Sequence, residues 1–105
     1  MHATFVADLR VDFDRPETPV VATEFCGTSI TSQGPDSKRV AQMLERNPHL
    51  LFANGSKRGY LLMDVTAQKM ETQLRAMETV KRHDAGIETL AAWTVEDGKP
   101  GAKAA

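Results

Sequence analysis

A chain of 105 residues with 41% hydrophobic side chains holds material for one small domain with one core, which excludes a multidomain assembly. Its 13 basic and 14 acidic side chains are scattered and leave a formal net charge of −1, so no basic cluster offers a footprint for nucleic acid. The longest apolar runs, such as Leu50-Leu51-Phe52-Ala53 and Tyr60-Leu61-Leu62-Met63, fall far short of the roughly 20 residues that span a bilayer, so no transmembrane segment is expected.

The chain opens Met1-His2-Ala3-Thr4-Phe5 and turns acidic at Asp8, without the basic start and long apolar stretch of a secretory signal; any export signal is expected upstream. Ala3 to Leu9 has the β-branched and aromatic content of a strand, and Arg10 to Pro16 reads as a loop. Pro19 to Phe25 predicts the clearest strand, bounded by Pro19 and Gly27 and placed inside a sheet. Cys26 has no cysteine to pair with and reads as a packing residue at the end of that strand. Glu24 lies in a largely apolar strand, where a carboxylate needs a partner, and is expected to brace the loop that follows. That loop, Gly27 to Gly34, is rich in hydroxyls that bond to local backbone. It lacks the Gly-x-x-x-x-Gly-Lys pattern of a phosphate cradle and reads as a structural turn.

Asp36 or Ser37 can cap a short helix with Val40, Met43 and Leu44 on one face, and Asn47-Pro48 stops it. His49 to Ala53 reads as a strand, Asn54-Gly55 as a tight turn, and Gly59 to Val65 as the second strand of a hairpin. Between Thr66 and Arg82, Met70, Leu74 and Met77 repeat at helical spacing, and local rules favour a helix. Ile87, Thr89, Ala91, Trp93 and Val95 then alternate with their neighbours along a strand that Asp97-Gly98 ends. Tyr60 and Trp93 sit in alternating strands and read as core aromatics. Gly98 to Ala105 has nothing large to bury and predicts a frayed, flexible tail.

Four blocks stand in order: Thr23-Glu24-Phe25-Cys26-Gly27-Thr28-Ser29-Ile30, Asn47-Pro48-His49, Arg58-Gly59-Tyr60 and Glu96-Asp97-Gly98. Together they resemble the C-terminal part of the PhoD-like alkaline phosphatases, and the resemblance covers nearly the whole chain. That family also has a Gly-Asp-x-His motif followed by a short segment ending in Ala-Asp-Leu. Here Met1-His2 and Ala7-Asp8-Leu9 match its second half, so the chain reads as beginning inside the motif, with His2 at the metal-binding histidine and the Gly-Asp pair absent. The competing reading makes His2 simply the residue after an initiator methionine.

The resemblance implies an α/β fold, a layered metallophosphoesterase β-sandwich flanked by helices. This chain would supply part of its C-terminal half, mostly β-strands plus one short helix, over residues 1–97, with 98–105 as the tail. Against the local signal for a helix, it implies a short turn and a strand after Thr66, with Leu74 and Ala76 alternating along it. It also implies hydrolysis of phosphate mono- and diesters at alkaline pH, iron and calcium as metals in the intact parent, and export to the periplasm or outside the cell. The chain on its own is expected to bind no metal, since it lacks most of the ligands, and to need its missing N-terminal half or to self-associate.

No catalytic residue is assigned. His2, His49 and His83 lie far apart with no His-x-His spacing, so the residues themselves give little metal signal. His49 reads as a hydrogen-bonded structural residue and His83 as a solvated turn residue. Arg58 is the candidate for substrate binding, since a guanidinium matches phosphate oxygens in a bidentate manner; an edge-strand arginine paired with a carboxylate is the competing reading. The alternative to an enzyme segment is a non-enzymatic β-rich interaction module.

Overall fold

The computed structural model describes residues 1–105. In chain order the elements are β1 (Thr4–Arg10), β2 (Val20–Cys26), α1 (Ser37–Arg46), β3 (Leu50–Asn54), β4 (Gly59–Val65), β5 (Lys69–Met77), β6 (Ile87–Glu96) and β7 (Lys99–Ala104). They form two antiparallel sheets, ordered β2-β1-β3 and β4-β5-β6-β7. The predicted mostly-β piece with one short helix is what forms.

In the first sheet β1 is central, and its Val6 and Ala7 are buried because strands flank it on both sides. The β2 strand, expected inside a sheet, is instead an edge strand of this one. Glu24 pairs with Ala7 in register but is exposed and braces nothing, because the open side of an edge strand hydrates a carboxylate without a partner. The helix starts where Asp36 Oδ1 accepts from the Arg39 amide at 2.8 Å, and it ends at Asn47, whose side chain donates to the Met43 carbonyl at 2.8 Å. It packs on β3 through one face, with Val40 buried.

The second sheet is centred on β5, where Thr72, Leu74 and Ala76 alternate inward. Thr66 to Met77 is therefore a turn and a strand: the Thr66 hydroxyl accepts from the amides of Gln68 and Lys69, and β5 then pairs with β4 and β6. Two ladders of backbone bonds outweigh the helical propensity of this stretch. Tyr60 is about half exposed on the edge strand β4 rather than in the core, because its face of that sheet is uncovered.

The expected hairpin between β3 and β4 does not form; the two strands belong to different sheets. A two-residue Asn-Gly hairpin of the type I′ class needs positive φ at both residues, and neither Asn54 nor Gly55 has it. Asn54 Oδ1 instead accepts from the amides of Ser56 and Lys57, at 3.2 and 3.0 Å, and turns the chain out of one sheet into the other.

The expected tail is also corrected, since Lys99–Ala104 is a strand. Gly98, at φ 70°, makes the turn with Asp97, and β7 then pairs along β6. Within β7, Gly101 has φ 114°, a backbone conformation that side chains rarely adopt. Asp8 Oδ1 accepts from the Ala102 amide on β7 and from the Thr23 hydroxyl on β2, each at 3.0 Å, and so joins the sheets.

The molecule is a slab of 44 × 34 × 17 Å with a radius of gyration of 14.5 Å. A compact chain of this length would have about 13 Å. Only 11 of 105 residues are buried, and much of the apolar surface of both sheets is open.

Candidate functional site

His2 precedes β1 and is exposed, and its Nδ1 lies 3.4 Å from the Gln33 carbonyl oxygen. A carbonyl can only accept, so in a neutral ring a hydrogen bond here places the proton on Nδ1 and leaves the Nε2 lone pair free. Metal-bound histidines are commonly held in this manner, by a carbonyl or carboxylate on the nitrogen that does not ligate.

Behind His2 sits Arg58, 6% exposed in the connector between the sheets. Its Nη1 donates to the His2 carbonyl at 3.1 Å, to Ser29 Oγ at 2.8 Å and to the Ser32 carbonyl, while Nη2 donates to the Gly55 carbonyl at 2.6 Å. Ser29 Oγ in turn donates to the Ser32 carbonyl at 2.5 Å. One guanidinium thus ties together the chain entering β1, the Gly27 to Gly34 loop and the connector after β3. Gly34 is part of the same knot: a Cβ there would run into the His2 carbonyl and come within 2.5 Å of the Gly55 carbonyl and 2.7 Å of Arg58 Nη2.

Neither sequence reading of Arg58 describes this arrangement, since the guanidinium meets carbonyls and a hydroxyl rather than a carboxylate. The Arg-Gly-Tyr spacing gave no hint of it, because all four partners but Gly55 come from distant segments. The hydroxyl-rich loop is the structural turn its composition suggested.

The other histidines lie elsewhere. Thr4 pairs with Asn54, while the Asp8 amide donates to the His49 carbonyl, so His2 and His49 flank opposite ends of the β1–β3 ladder. At about 3.3 Å per residue they are roughly 20 Å apart, too far to share an ion. His49 packs edge-on against Phe13, ring centroids 5.0 Å apart, in a structural role. His83 is exposed in the turn after β5. No three His, Cys, Asp or Glu side chains gather as a metal site, so the side chains present do not make up a complete metal centre.

A cavity of about 540 Å³ lies on the Gly34–Gly55 side of Arg58, lined mainly by polar residues including Lys57, Glu78, Thr79 and Lys81. His2 is not in its wall, but Gln33 and Arg58, which contact His2, are, so the cavity adjoins the knot that holds His2.

Comparison with known proteins places these features. A model of the PhoD-like phosphatase family matches residues 1–74. The chain is 35% identical over 104 residues to alkaline phosphatase D of Bacillus subtilis (strain 168), covering 96% of this chain and 18% of that protein. It superposes on a solved structure of PhoD with a TM-score of 0.87 at 34% identity, covering 98% of this chain and 20% of the other. The chain therefore spans about a fifth of the length of these relatives.

Proposed function

The chain belongs to the PhoD-like phosphatase family, and on that premise we propose that it is a segment of a metal-dependent phosphoesterase, to which it contributes His2 as one metal ligand. The observation that carries this reading is the presentation of His2, with Nδ1 turned to the Gln33 carbonyl and Nε2 left free at an exposed strand end. Iron and calcium are proposed as the metals on family resemblance alone. When bound, such ions polarise phosphoryl oxygens and lower the pKa of a coordinated water.

The chain's own residues serve in holding and orienting. Strand β1 fixes the backbone leading from His2, and Arg58 fixes the His2 carbonyl. Arg58 is not proposed as the phosphate anchor, because it is 6% exposed and both its Nη atoms are turned to carbonyls and a hydroxyl of the chain itself. The substrates proposed are phosphate mono- and diesters at alkaline pH, bound by residues that the rest of such an enzyme supplies.

With one ligand position, the 105-residue chain is expected to be inactive alone. Assay with p-nitrophenyl phosphate in the presence of iron and calcium tests this. No turnover above the metal blank is expected, and metal-dependent turnover at enzyme-like rates overturns the one-ligand reading.

A further inference from the structure

Resting on that reading of His2, we propose that Arg58 is the positioning residue for its imidazole, holding both sides of the contact that selects the ring's tautomer. On one side, Nη1 grips the His2 carbonyl at 3.1 Å, which fixes the backbone from which the ring projects. On the other, the same Nη1 grips the Ser32 carbonyl, adjacent in the chain to Gln33, whose own carbonyl faces His2 Nδ1. An isolated neutral histidine favours the proton on Nε2. The opposite tautomer, with Nε2 free to ligate, has to be enforced by a fixed acceptor at Nδ1.

The way Arg58 is built in argues that the knot is specific to a guanidinium. A buried cation without a counter-ion is costly, and here it is offset only by carbonyl dipoles and the Ser29 hydroxyl drawn from three separate segments. Three of the four acceptors meet at Nη1 and the Gly55 carbonyl is held by Nη2, so it is the second arm of the planar fork that an ammonium, with its donors at one point, would lack. Gly34 leaves no room for a side chain between the His2 carbonyl, the Gly55 carbonyl and Nη2, so the three are packed against one another with no slack.

The test is ¹⁵N NMR of the histidine rings in the 105-residue chain, metal-free, in dilute solution and at alkaline pH. The wild-type His2 ring is expected as the Nδ1–H tautomer. In Arg58→Lys and in Arg58→Gln its nitrogens are expected to shift towards the Nε2–H-rich mixture of free histidine, while His49, packed on Phe13, keeps its native signal and reports an intact fold. The proposal is overturned if wild-type His2 already shows the free-histidine mixture, an outcome that needs no variant. It is overturned equally if either variant keeps the native His49 signal and leaves the His2 tautomer unchanged. A general loss of structure would move His49 along with His2, so selective movement of His2 marks positioning. The phosphatase reading fails separately, if His2→Ala in a phosphatase carrying this segment leaves activity untouched.

Discussion

The Asp8 carboxylate on β1 accepts a hydrogen bond from the Ala102 amide on β7 at 3.0 Å, across 94 residues of sequence. The same oxygen takes the Thr23 hydroxyl, so one side chain from the Ala-Asp-Leu segment holds three strands and both sheets. Charge-assisted bonds of this kind are stronger than neutral ones, and their loss leaves donors unpaired. Asp8→Ala is expected to destabilise the chain by about 1–3 kcal/mol, with Asp8→Asn milder because the amide oxygen still accepts. Hydrogen exchange localises the effect: the Ala102 amide loses protection in Asp8→Ala ahead of the amides in the centre of β5.

Thr72 is fully buried on β5, and its hydroxyl has no partner, nor does the indole nitrogen of Trp93 in register beside it. An unpaired buried hydroxyl opposes folding, and valine has nearly the same shape. Thr72→Val is expected to raise stability by about 1 kcal/mol in denaturant unfolding, reversing the usual sign of a core substitution.

Glu96 and Lys99 face each other across the β6–β7 turn at 3.1 Å. The hydrogen bond and charge of Lys99, aided by the charge of Lys103, hold the Glu96 carboxyl below the ordinary glutamate value. A depressed folded value means that the pair's contribution is present above the unfolded glutamate range and is lost as pH falls through the folded value. The pair is exposed, so the contribution is small. A ¹³C-detected titration is expected to find Glu96 protonating below the ordinary glutamate value, and Lys99→Ala is expected to move it back up towards that value.

Three of the four edge strands have neighbours, α1 on β3 and β7 against β2, but β4 has only β5, and on it Tyr60, Leu62 and Val65 are 49%, 50% and 69% exposed. An open apolar edge templates pairing with another chain. The isolated chain is expected to associate as its concentration rises, and Val65→Lys to reduce this, both measured by size-exclusion chromatography with light scattering. A wild-type monomer at every concentration refutes the expectation.

Much of the fold was legible in local signals. The Asp36 cap and the Asn47-Pro48 stop depend on neighbours in sequence and formed where expected, as did the β6 strand, although its burial does not alternate along it. What local rules missed was decided by partners far along the chain. The Asn54-Gly55 pair looks like a hairpin turn until the Arg58 knot takes the Gly55 carbonyl, and the Gly98 to Ala105 tail looks frayed until β6 and Asp8 supply acceptors for its amides. Thr66 to Met77 went the other way: its propensity reads helix, and only the family resemblance gave the strand. At the candidate site the partners of Arg58 were not legible, because three of the four are carbonyl oxygens, which leave no mark in a sequence.

The central claim is that this segment does in its own protein what the matching segment does in the phosphatases it resembles, with His2 as a metal ligand. The most direct measurement replaces the matching segment of Bacillus subtilis alkaline phosphatase D with this chain and assays the chimera on p-nitrophenyl phosphate, beside the same chimera carrying His2→Ala. The account predicts a folded, metal-dependent enzyme whose activity falls by at least about 10²-fold in the His2→Ala form, as loss of a ligand should cost no less than loss of a group that supports one. A His2→Ala chimera as active as its parent would contradict it.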